Sequence, residues 1–299
     1  IASIPGSFAK EEVEGKKLIE LDSIETYGVA YPMEKPGKTT ADGYPIGNAV
    51  TSDETIRKAL TYAIDREELV EGILEGYGAP SSTGLEKMPW LNEETIIKPE
   101  EDGKIDEAKK MLEEAGWKDT NNNGTIDKDG VEAEFDLLYT DGKYRQELGL
   151  AYVEVAKKLG IKVNLENRNW DTIVPEINSQ AVLYGFGSGD PSEIYNLYSS
   201  KTFGVGVPWN NSGYYQNDKV DEYIDKALQS EDEDSALEYW KKAQWDGETG
   251  FSHMGDCAYT WFVNAGHLYL ADEDLDIGTP VVQPHGGKVL YNITEWSWK

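Results

Sequence analysis

The sequence predicts an α/β fold in which a mixed β-sheet is flanked by helices. Segments with strand-like and helix-like patterns alternate through the middle of the chain, as is typical of α/β folds. Hydrophobic residues make up 39% of the 299 residues, which is enough for a substantial core. A helix, a break and a second helix precede this alternation, over residues 55–80. The chain is therefore expected to fold around a sheet with helices on its faces.

The first 80 residues contain short extended pieces and then the two helices. Proline and glycine divide residues 1–50, where 17–21 and 26–30 are the strand-like parts. Ser52 and Asp53 are N-cap candidates, because apolar residues recur at helical spacing just after them. Glycines at 76 and 78 and a proline at 80 end the second helix.

The alternating part begins near residue 133. Residues 133–139, 162–167 and 181–184 are predicted strands, and 145–159 and 170–179 are predicted helices. Two amphipathic helices follow near 218–229 and 235–245, and the chain from 258 onward is extended and aromatic. Strands that alternate with helices in this way predict a mixed sheet.

Charge and cysteine content exclude several classes of protein. The formal net charge of -28 repels phosphate backbones and anionic membrane surfaces, which speaks against nucleic-acid binding. The one cysteine, Cys257, rules out an internal disulfide and a cysteine-rich metal site. We recognise neither a membrane-spanning run of about 18 apolar residues nor a signal peptide.

Several motifs follow one another in a consistent order along the chain. They are Ile56-Arg57, the Ala63-Ile64-Asp65-Arg66 run, Gly76-Tyr77-Gly78, the Glu114-Ala115-Gly116-Trp117 run, Tyr144-Arg145 before Leu159-Gly160-Ile161, Asp190-Pro191 and Asn211-Ser212-Gly213-Tyr214-Tyr215. Together these motifs resemble family 5 extracellular solute-binding proteins, which are the oligopeptide, dipeptide and nickel receptors of ABC importers. The resemblance implies a periplasmic-binding-protein-like class II C-terminal lobe with a remnant of the first lobe. It divides the chain into the end of the first lobe and the hinge at 1–50, the ligand-binding lobe at 51–255, and a return segment at 256–299.

The resemblance also implies a function. The chain would be part of an extracytoplasmic, monomeric lipoprotein that captures a peptide or another small polar solute between two lobes and delivers it to an ABC transporter permease. It would touch the membrane only through an anchor outside this chain. A nickel-chelate or oligosaccharide receptor of the same family is the alternative. No nucleophile motif, metalloprotease motif or phosphate-binding loop is present, so no catalysis is expected, and a secreted glycan-acting enzyme is the competing class.

A glycine-rich segment after the strand at 181–184 is the predicted ligand loop. Ligands of open α/β sheets bind at the carboxyl ends of strands, and glycine allows a close approach of the backbone. The predicted ligand-binding residues here are Tyr184, Phe186, Gly187, Ser188 and Asp190. From spacing alone, the same residues also fit a glycine-rich turn with core aromatics.

Gly187 departs from the family pattern. Peptide-binding relatives carry an aspartate at this position that pairs with the α-ammonium of the peptide, and Gly187 has no carboxylate. We therefore expect that a free-amine peptide gains nothing from this position, with Asp190 as the nearest substitute acid. A bulky residue at 187 is expected to weaken solute binding and to leave the fold stable.

Two further residues complete the predicted ligand site. Arg145 follows a strand and begins a helix, so its guanidinium either binds an anion at the sheet edge or forms a surface salt bridge. Trp170 follows the next strand and either stacks on a ligand or covers the sheet.

No cofactor is expected, with one possible exception, a structural calcium ion. Asp119, Asn121, Asn123, Thr125 and Asp127 match the first positions of a calcium loop, with Gly124 at position six, but position twelve is Gly130 rather than glutamate. The same residues also form ordinary turns. His253, His267 and His285 lie far apart in the sequence and give only weak support to a three-histidine metal site.

Overall fold

A computed structural model describes residues 1–299. The helices are α1 (Gly6–Ala9), α2 (Glu54–Ala63), α3 (Arg66–Ile73), α4 (Ile105–Glu114), α5 (Arg145–Lys158), α6 (Trp170–Ile173), α7 (Ser192–Tyr198), α8 (Asp218–Gln229) and α9 (Glu233–Gln244). The strands are β1 (Ala2–Ser3), β2 (Lys16–Leu21), β3 (Thr26–Ala30), β4 (Lys38–Thr39), β5 (Pro45–Ile46), β6 (Gly78–Pro80), β7 (Asp127–Lys128), β8 (Val131–Glu132), β9 (Glu134–Tyr139), β10 (Lys162–Asn167), β11 (Ala181–Phe186), β12 (Tyr259–Ala265), β13 (His267–Asp272), β14 (Leu275–Asp276) and β15 (Ser297–Trp298).

A six-stranded mixed sheet forms the centre of the fold, in the order β10-β9-β11-β3-β12-β6. β10, β9 and β11 are parallel to one another, and β3 is antiparallel to both β11 and β12. The helix α5 connects β9 to β10, as a parallel connection requires. The predicted fold class, a mixed sheet flanked by helices, is confirmed.

Hydrophobic cores lie on both faces of this sheet, because side chains alternate along each strand. On β11, Ala181 and Leu183 belong to the core that includes α2, α3, α4 and α5. Val182 and Tyr184 belong to the opposite core, with α7, α8 and α9. Burial on both faces explains why β11 reads as a continuous apolar run rather than an alternating one.

The motif around the first two helices has a structural role. Asp53 caps α2 by accepting a hydrogen bond from Thr55 N, and Asp65 caps α3 in the same way through Glu68 N. Arg57 donates to the carbonyl oxygens of Thr51, Asp256 and Cys257. Because buried guanidinium groups need such partners, this arginine ties α2 to the segment that leads into β12.

A separate three-stranded sheet, in the order β1-β13-β2, joins the two ends of the chain. It packs over a small core that includes Ile19, Leu21 and Tyr269. The chain passes between this sheet and the six-stranded sheet twice, from β2 to β3 and from β12 to β13.

The lobe boundaries predicted at residues 50 and 256 stay a prediction, and strands from both sides of each one share the six-stranded sheet. β3 and β12 come from the segments that the sequence assigns to the other lobe, and they are neighbours near the middle of this sheet. Local sequence patterns contain no signal for pairing between strands more than 200 residues apart, so this pairing could not be read from them. Helix α6 also ends at Ile173, earlier than the predicted 179, and turns follow it.

Candidate functional site

The candidate site lies at one edge of the six-stranded sheet. β9, β10, β11 and β12 end at this edge and β3 begins there, since Phe186 and Asn264 are both paired with Thr26. Both chain passages to the smaller sheet also leave from this edge. Ligands of open α/β sheets bind at such carboxyl ends.

A mainly polar groove of about 1140 Å³ opens beyond the ends of β9 and β10. Its walls include Arg145 and Trp170, the two residues predicted from positions after strands, together with Asn167, Arg168 and Asn169. A groove of this size fits a small solute with several polar groups.

Arg145 begins α5 and lines the groove. Its Nη1 atom donates to the Thr140 hydroxyl (2.7 Å) and to the Asp141 carbonyl (3.3 Å), and its Nε atom is buried without a partner. None of these contacts is to a carboxylate. The surface salt bridge left open by the sequence is therefore not formed, and the guanidinium keeps the capacity to bind an anion.

Arg168 lines the same groove, although the sequence analysis did not select it. Its positive charge is already paired with carboxylates of the protein. Its Nε atom donates to Glu166 (2.8 Å) and its Nη1 atom to Glu176 (2.9 Å). The contrast with Arg145 cannot be seen in the sequence, because both arginines follow strands.

Trp170 is the aromatic residue that lines the groove, and it packs against other aromatic rings behind the wall. Trp170 stacks on Tyr184, with ring centroids 5.9 Å apart and an interplanar angle of 21°, and its other neighbour is Trp209 at 5.3 Å. Tyr184 is 3% exposed, donates to Ser212 Oγ (3.2 Å), and contacts Phe186. Trp170 is half-buried, so it covers the sheet and also faces the groove, whereas Tyr184 lies beneath it.

Hydrogen bonds to other residues of the protein hold the predicted ligand loop in place. The Glu193 carboxylate accepts hydrogen bonds from the backbone N–H groups of Gly187 (3.1 Å) and Ser188 (3.0 Å). The Gly187 carbonyl accepts from His285 N (2.9 Å). Burial raises the pKa of Glu193, although these two N–H groups act to lower it. The loop thus lies at the predicted edge of the sheet, but the N–H groups of Gly187 and Ser188 already donate to Glu193.

Asp190 is exposed and has a local role. Its Oδ1 atom accepts from Ser192 N (2.8 Å) in the first turn of α7, and this hydrogen bond lowers its pKa. The carboxylate that contacts the Gly187 backbone is instead Glu193, and the backbone of Glu25 also lies close, with its Cα atom 3.1 Å from the position of a Cβ on Gly187.

Two of the three histidines meet in space. His267 Nε2 lies 2.8 Å and His285 Nδ1 lies 3.7 Å from the same oxygen of Glu25. His253 is elsewhere, hydrogen-bonded to Tyr62 and to the Thr95 carbonyl, and burial lowers its pKa to about 4. No group of three or more His, Cys, Asp or Glu side chains is arranged to hold a metal ion.

The candidate calcium loop is a hydrogen-bonded turn. Asp119 accepts from the N–H groups of Asn123 and Gly124, and Asn123 Oδ1 accepts from Thr125 N. The amide nitrogens of Asn121 and Asn123 donate to Glu132. The remaining predicted residue, Asp127, accepts from Thr120. Calcium binding by this loop stays a prediction.

The fold is that of solute-binding proteins. NikZ from Campylobacter jejuni, solved in complex with Ni(L-His), superposes with a TM-score of 0.79 at 20% identity, over 99% of this chain and 56% of NikZ. AppA from Bacillus subtilis, solved with a nonapeptide, superposes with a TM-score of 0.75 at 24% identity, over 99% of this chain and 55% of AppA.

Sequence comparison identifies the family. The model of the bacterial extracellular solute-binding proteins, family 5 Middle, matches residues 3–206, and the chain belongs to this family. Protein XP55 of Streptomyces lividans is 37% identical over 233 residues, which cover 76% of this chain and 41% of XP55. The oligopeptide-binding protein AppA of Bacillus subtilis is 29% identical over 261 residues, which cover 85% of this chain and 46% of AppA.

The predicted family is thus confirmed. The chain spans about half the length of these relatives. None of its helices is both long enough and apolar enough to cross a membrane.

Proposed function

We propose that this chain supplies one ligand-binding lobe of the substrate-binding component of an ABC importer. In this proposal a small polar solute enters the groove at the sheet edge, the second lobe closes over it, and the permease recognises the closed form. Family membership supports the proposal, together with the position of the groove at the same edge of the sheet as the two chain connections between the sheets.

The choice of solute rests on the hydrogen-bond partners of Arg145. The chain has twice as many acidic as basic residues, yet this guanidinium at the groove has no carboxylate partner. A solute carboxylate fits it, because guanidinium and carboxylate groups form charge-assisted pairs. Peptides and other small carboxylic acids are therefore the preferred solutes.

Two alternative solutes come from the relatives. NikZ was solved with Ni(L-His), whose amino-acid carboxylate is also compatible with Arg145. An oligosaccharide would use the aromatic wall at Trp170 and the polar amides of the groove, but it would leave Arg145 without an anion.

The remaining parts of the proposal follow the family. The protein acts outside the cytoplasm, as a monomer held at the membrane by a lipid anchor, and it catalyses no reaction. Relatives of this chain are named as binding proteins, which supports the absence of turnover.

The test uses the full-length protein in thermal-shift and calorimetric titrations with peptides, nickel–histidine complexes and oligosaccharides. A solute at a hundred times its Kd stabilises the folded state by about 2.7 kcal/mol. Arg145→Ala should weaken binding of a carboxylate solute roughly ten- to a hundredfold, as expected for loss of a charged hydrogen bond. Lys158→Ala, which removes a cation from the same helix away from the groove, is the matched control.

Two outcomes would contradict the proposal. One is the absence of stabilisation by any of the three solute classes. The other is hydrolysis of a glycan or peptide by the pure protein that is abolished by replacing one carboxylate, which would favour the enzyme class instead.

A further inference from the structure

Two successive backbone N–H groups of the predicted ligand loop point at the same side chain. Gly187 N donates to Oε1 of Glu193 (3.1 Å), and Ser188 N donates to Oε2 of the same carboxylate (3.0 Å). In an extended strand, successive N–H groups point to opposite sides. The backbone rotation at Gly187, with a φ of +141°, lies between these two N–H groups and allows them to converge. Convergent N–H groups of this kind form a concavity that binds anions.

The loop keeps this geometry through contacts on its other sides. The carbonyl oxygen of Gly187 accepts a hydrogen bond from His285 N (2.9 Å). Within the loop, Asp190 N donates to Ser188 Oγ (3.1 Å). The pair of N–H groups is therefore held in place by the protein and does not need a solute to form it.

Glu193 occupies the concavity in the way that a bound carboxylate would. Each of its two oxygens accepts from one of the two N–H groups, which is the bidentate arrangement that suits a carboxylate. Glu193 forms no salt bridge with a lysine or arginine, and the two loop N–H groups are its only hydrogen-bond partners as an acceptor side chain. The carboxylate of Glu193 is thus an internal substitute for an anionic ligand.

Two groups that can bind an anion therefore lie at the same edge of the sheet, and they differ in occupancy. The guanidinium of Arg145 has no carboxylate partner. The N–H groups of Gly187 and Ser188 already have one. A second carboxylate that approached these N–H groups would meet the charge of Glu193 instead, and like charges in contact are unfavourable.

We propose that Glu193 determines solute specificity, because its carboxylate fills the anion-binding N–H pair of the ligand loop and excludes negatively charged solute groups from it. The inference rests on the proposed function, since the loop affects specificity only if this edge of the sheet binds a solute. The preferred solute then carries its anionic group at Arg145 and a neutral group at the loop.

The first test asks whether the N–H pair binds an anion once Glu193 is removed. Thermal unfolding of full-length Glu193→Ala is measured in 0.1 M sodium acetate and in 0.1 M sodium chloride, because acetate replaces the deleted carboxylate. The Tm of this variant should be about 2 °C higher in acetate than in chloride. The wild type should show no difference between the two salts. Glu233→Ala, which removes an exposed carboxylate from the first turn of α9, is the matched control and should also show none.

The second test measures the specificity of the full-length protein by calorimetry. It uses the best-binding peptide of the solute titrations and versions of it in which each side chain in turn is replaced by glutamate or by glutamine. At the position that faces the loop, the wild type should bind the glutamine form on the order of tenfold more tightly than the glutamate form. Glu193→Ala should lose this preference, and Glu233→Ala should keep it.

The two tests separate the role of Glu193 from the proposed function. An equal response of the wild type and Glu193→Ala to acetate would overturn the inference, as would a glutamine preference that persists in Glu193→Ala. If Glu193→Ala does not fold, Glu193→Gln, which keeps the size of the side chain without its charge, takes its place in the peptide test with the same expected loss. If no peptide binds the wild type, the proposed function fails for peptides, and the acetate test still decides whether Glu193 fills an anion-binding concavity.

Discussion

A Cβ atom on Gly187 would overlap the carbonyl oxygen of Ile24. The φ angle of Gly187 is +141°, a conformation that side chains with a Cβ rarely adopt. The ligand loop therefore packs tightly against the segment that connects β2 to β3. The expectation that a bulky residue at 187 would leave the fold stable is incompatible with this geometry, because the clash is with backbone atoms.

Gly187→Ala should lower the free energy of unfolding by about 2–4 kcal/mol, since it adds both a steric clash and an unfavourable φ. Gly189→Ala is the matched control two residues away, where a Cβ meets nothing within 4 Å, and it should change stability by less than about 0.5 kcal/mol. Urea unfolding of both variants checks this prediction. Equal stability of the two variants would show that the loop can shift to accommodate a side chain.

Trp170 and Tyr184 should respond differently to truncation, although they stack on each other. Tyr184→Ala leaves a cavity in the core and should cost about 3–5 kcal/mol of stability. Trp170→Ala, at the half-buried groove wall, should weaken solute binding by about 1–2 kcal/mol through lost aromatic contact. Urea unfolding and calorimetric titration with the best solute separate the two effects. Unchanged affinity in Trp170→Ala would mean that this side chain only covers the sheet.

Peptides with a free amine should bind no better than their N-acetylated forms. Gly187 supplies no carboxylate, Glu193 is occupied by the N–H groups of the loop, and Asp190 accepts a hydrogen bond from Ser192 N at the start of α7. Calorimetry with matched peptide pairs tests this. A strong preference for the free amine would show that one of these carboxylates, or Glu25, leaves its present partners to bind the ammonium group.

The stability contributed by Glu25 should depend on pH in a defined direction. Its pKa is lower in the folded protein than the value of about 4.3 expected for an unfolded chain. Wild-type protein should therefore exceed Glu25→Gln by about 3 kcal/mol at pH 5, above the unfolded pKa. This advantage should shrink as the pH falls toward 3, because the carboxylate is then protonated in the unfolded chain while it stays ionised in the folded protein. Urea unfolding at several pH values between 5 and 3 measures it. A difference that stays constant over this range would mean that the charge of Glu25 is not what stabilises the folded state.

Local features were predictable from the sequence. The Asp53 cap, the helix over Arg145–Lys158 and the strand over Lys162–Asn167 were predicted within a residue, since caps and periodicity depend on neighbouring positions. The α/β class and the family followed from the order of these elements and motifs. Helix α6 was predicted too long, because the apolar pattern of residues 170–179 continues through turns after Ile173.

The partners and the exposure of each candidate site residue depended on the tertiary structure. Arg145 and Arg168 both follow strands in the sequence, and only the fold shows that Arg168 has carboxylate partners and Arg145 has none. Tyr184 and Trp170 were both predicted to contact ligand, and only their stacking shows which ring covers the other.

The sequence by itself determined the class of fold and the family, because these follow from patterns within a few tens of residues. Only the tertiary structure decided that β3 and β12 lie side by side near the middle of the main sheet, and that Glu25 meets His267 across 242 positions of sequence. Contacts at such separations arise when hydrophobic burial and strand pairing bring distant segments together, and no local pattern encodes which segments will meet.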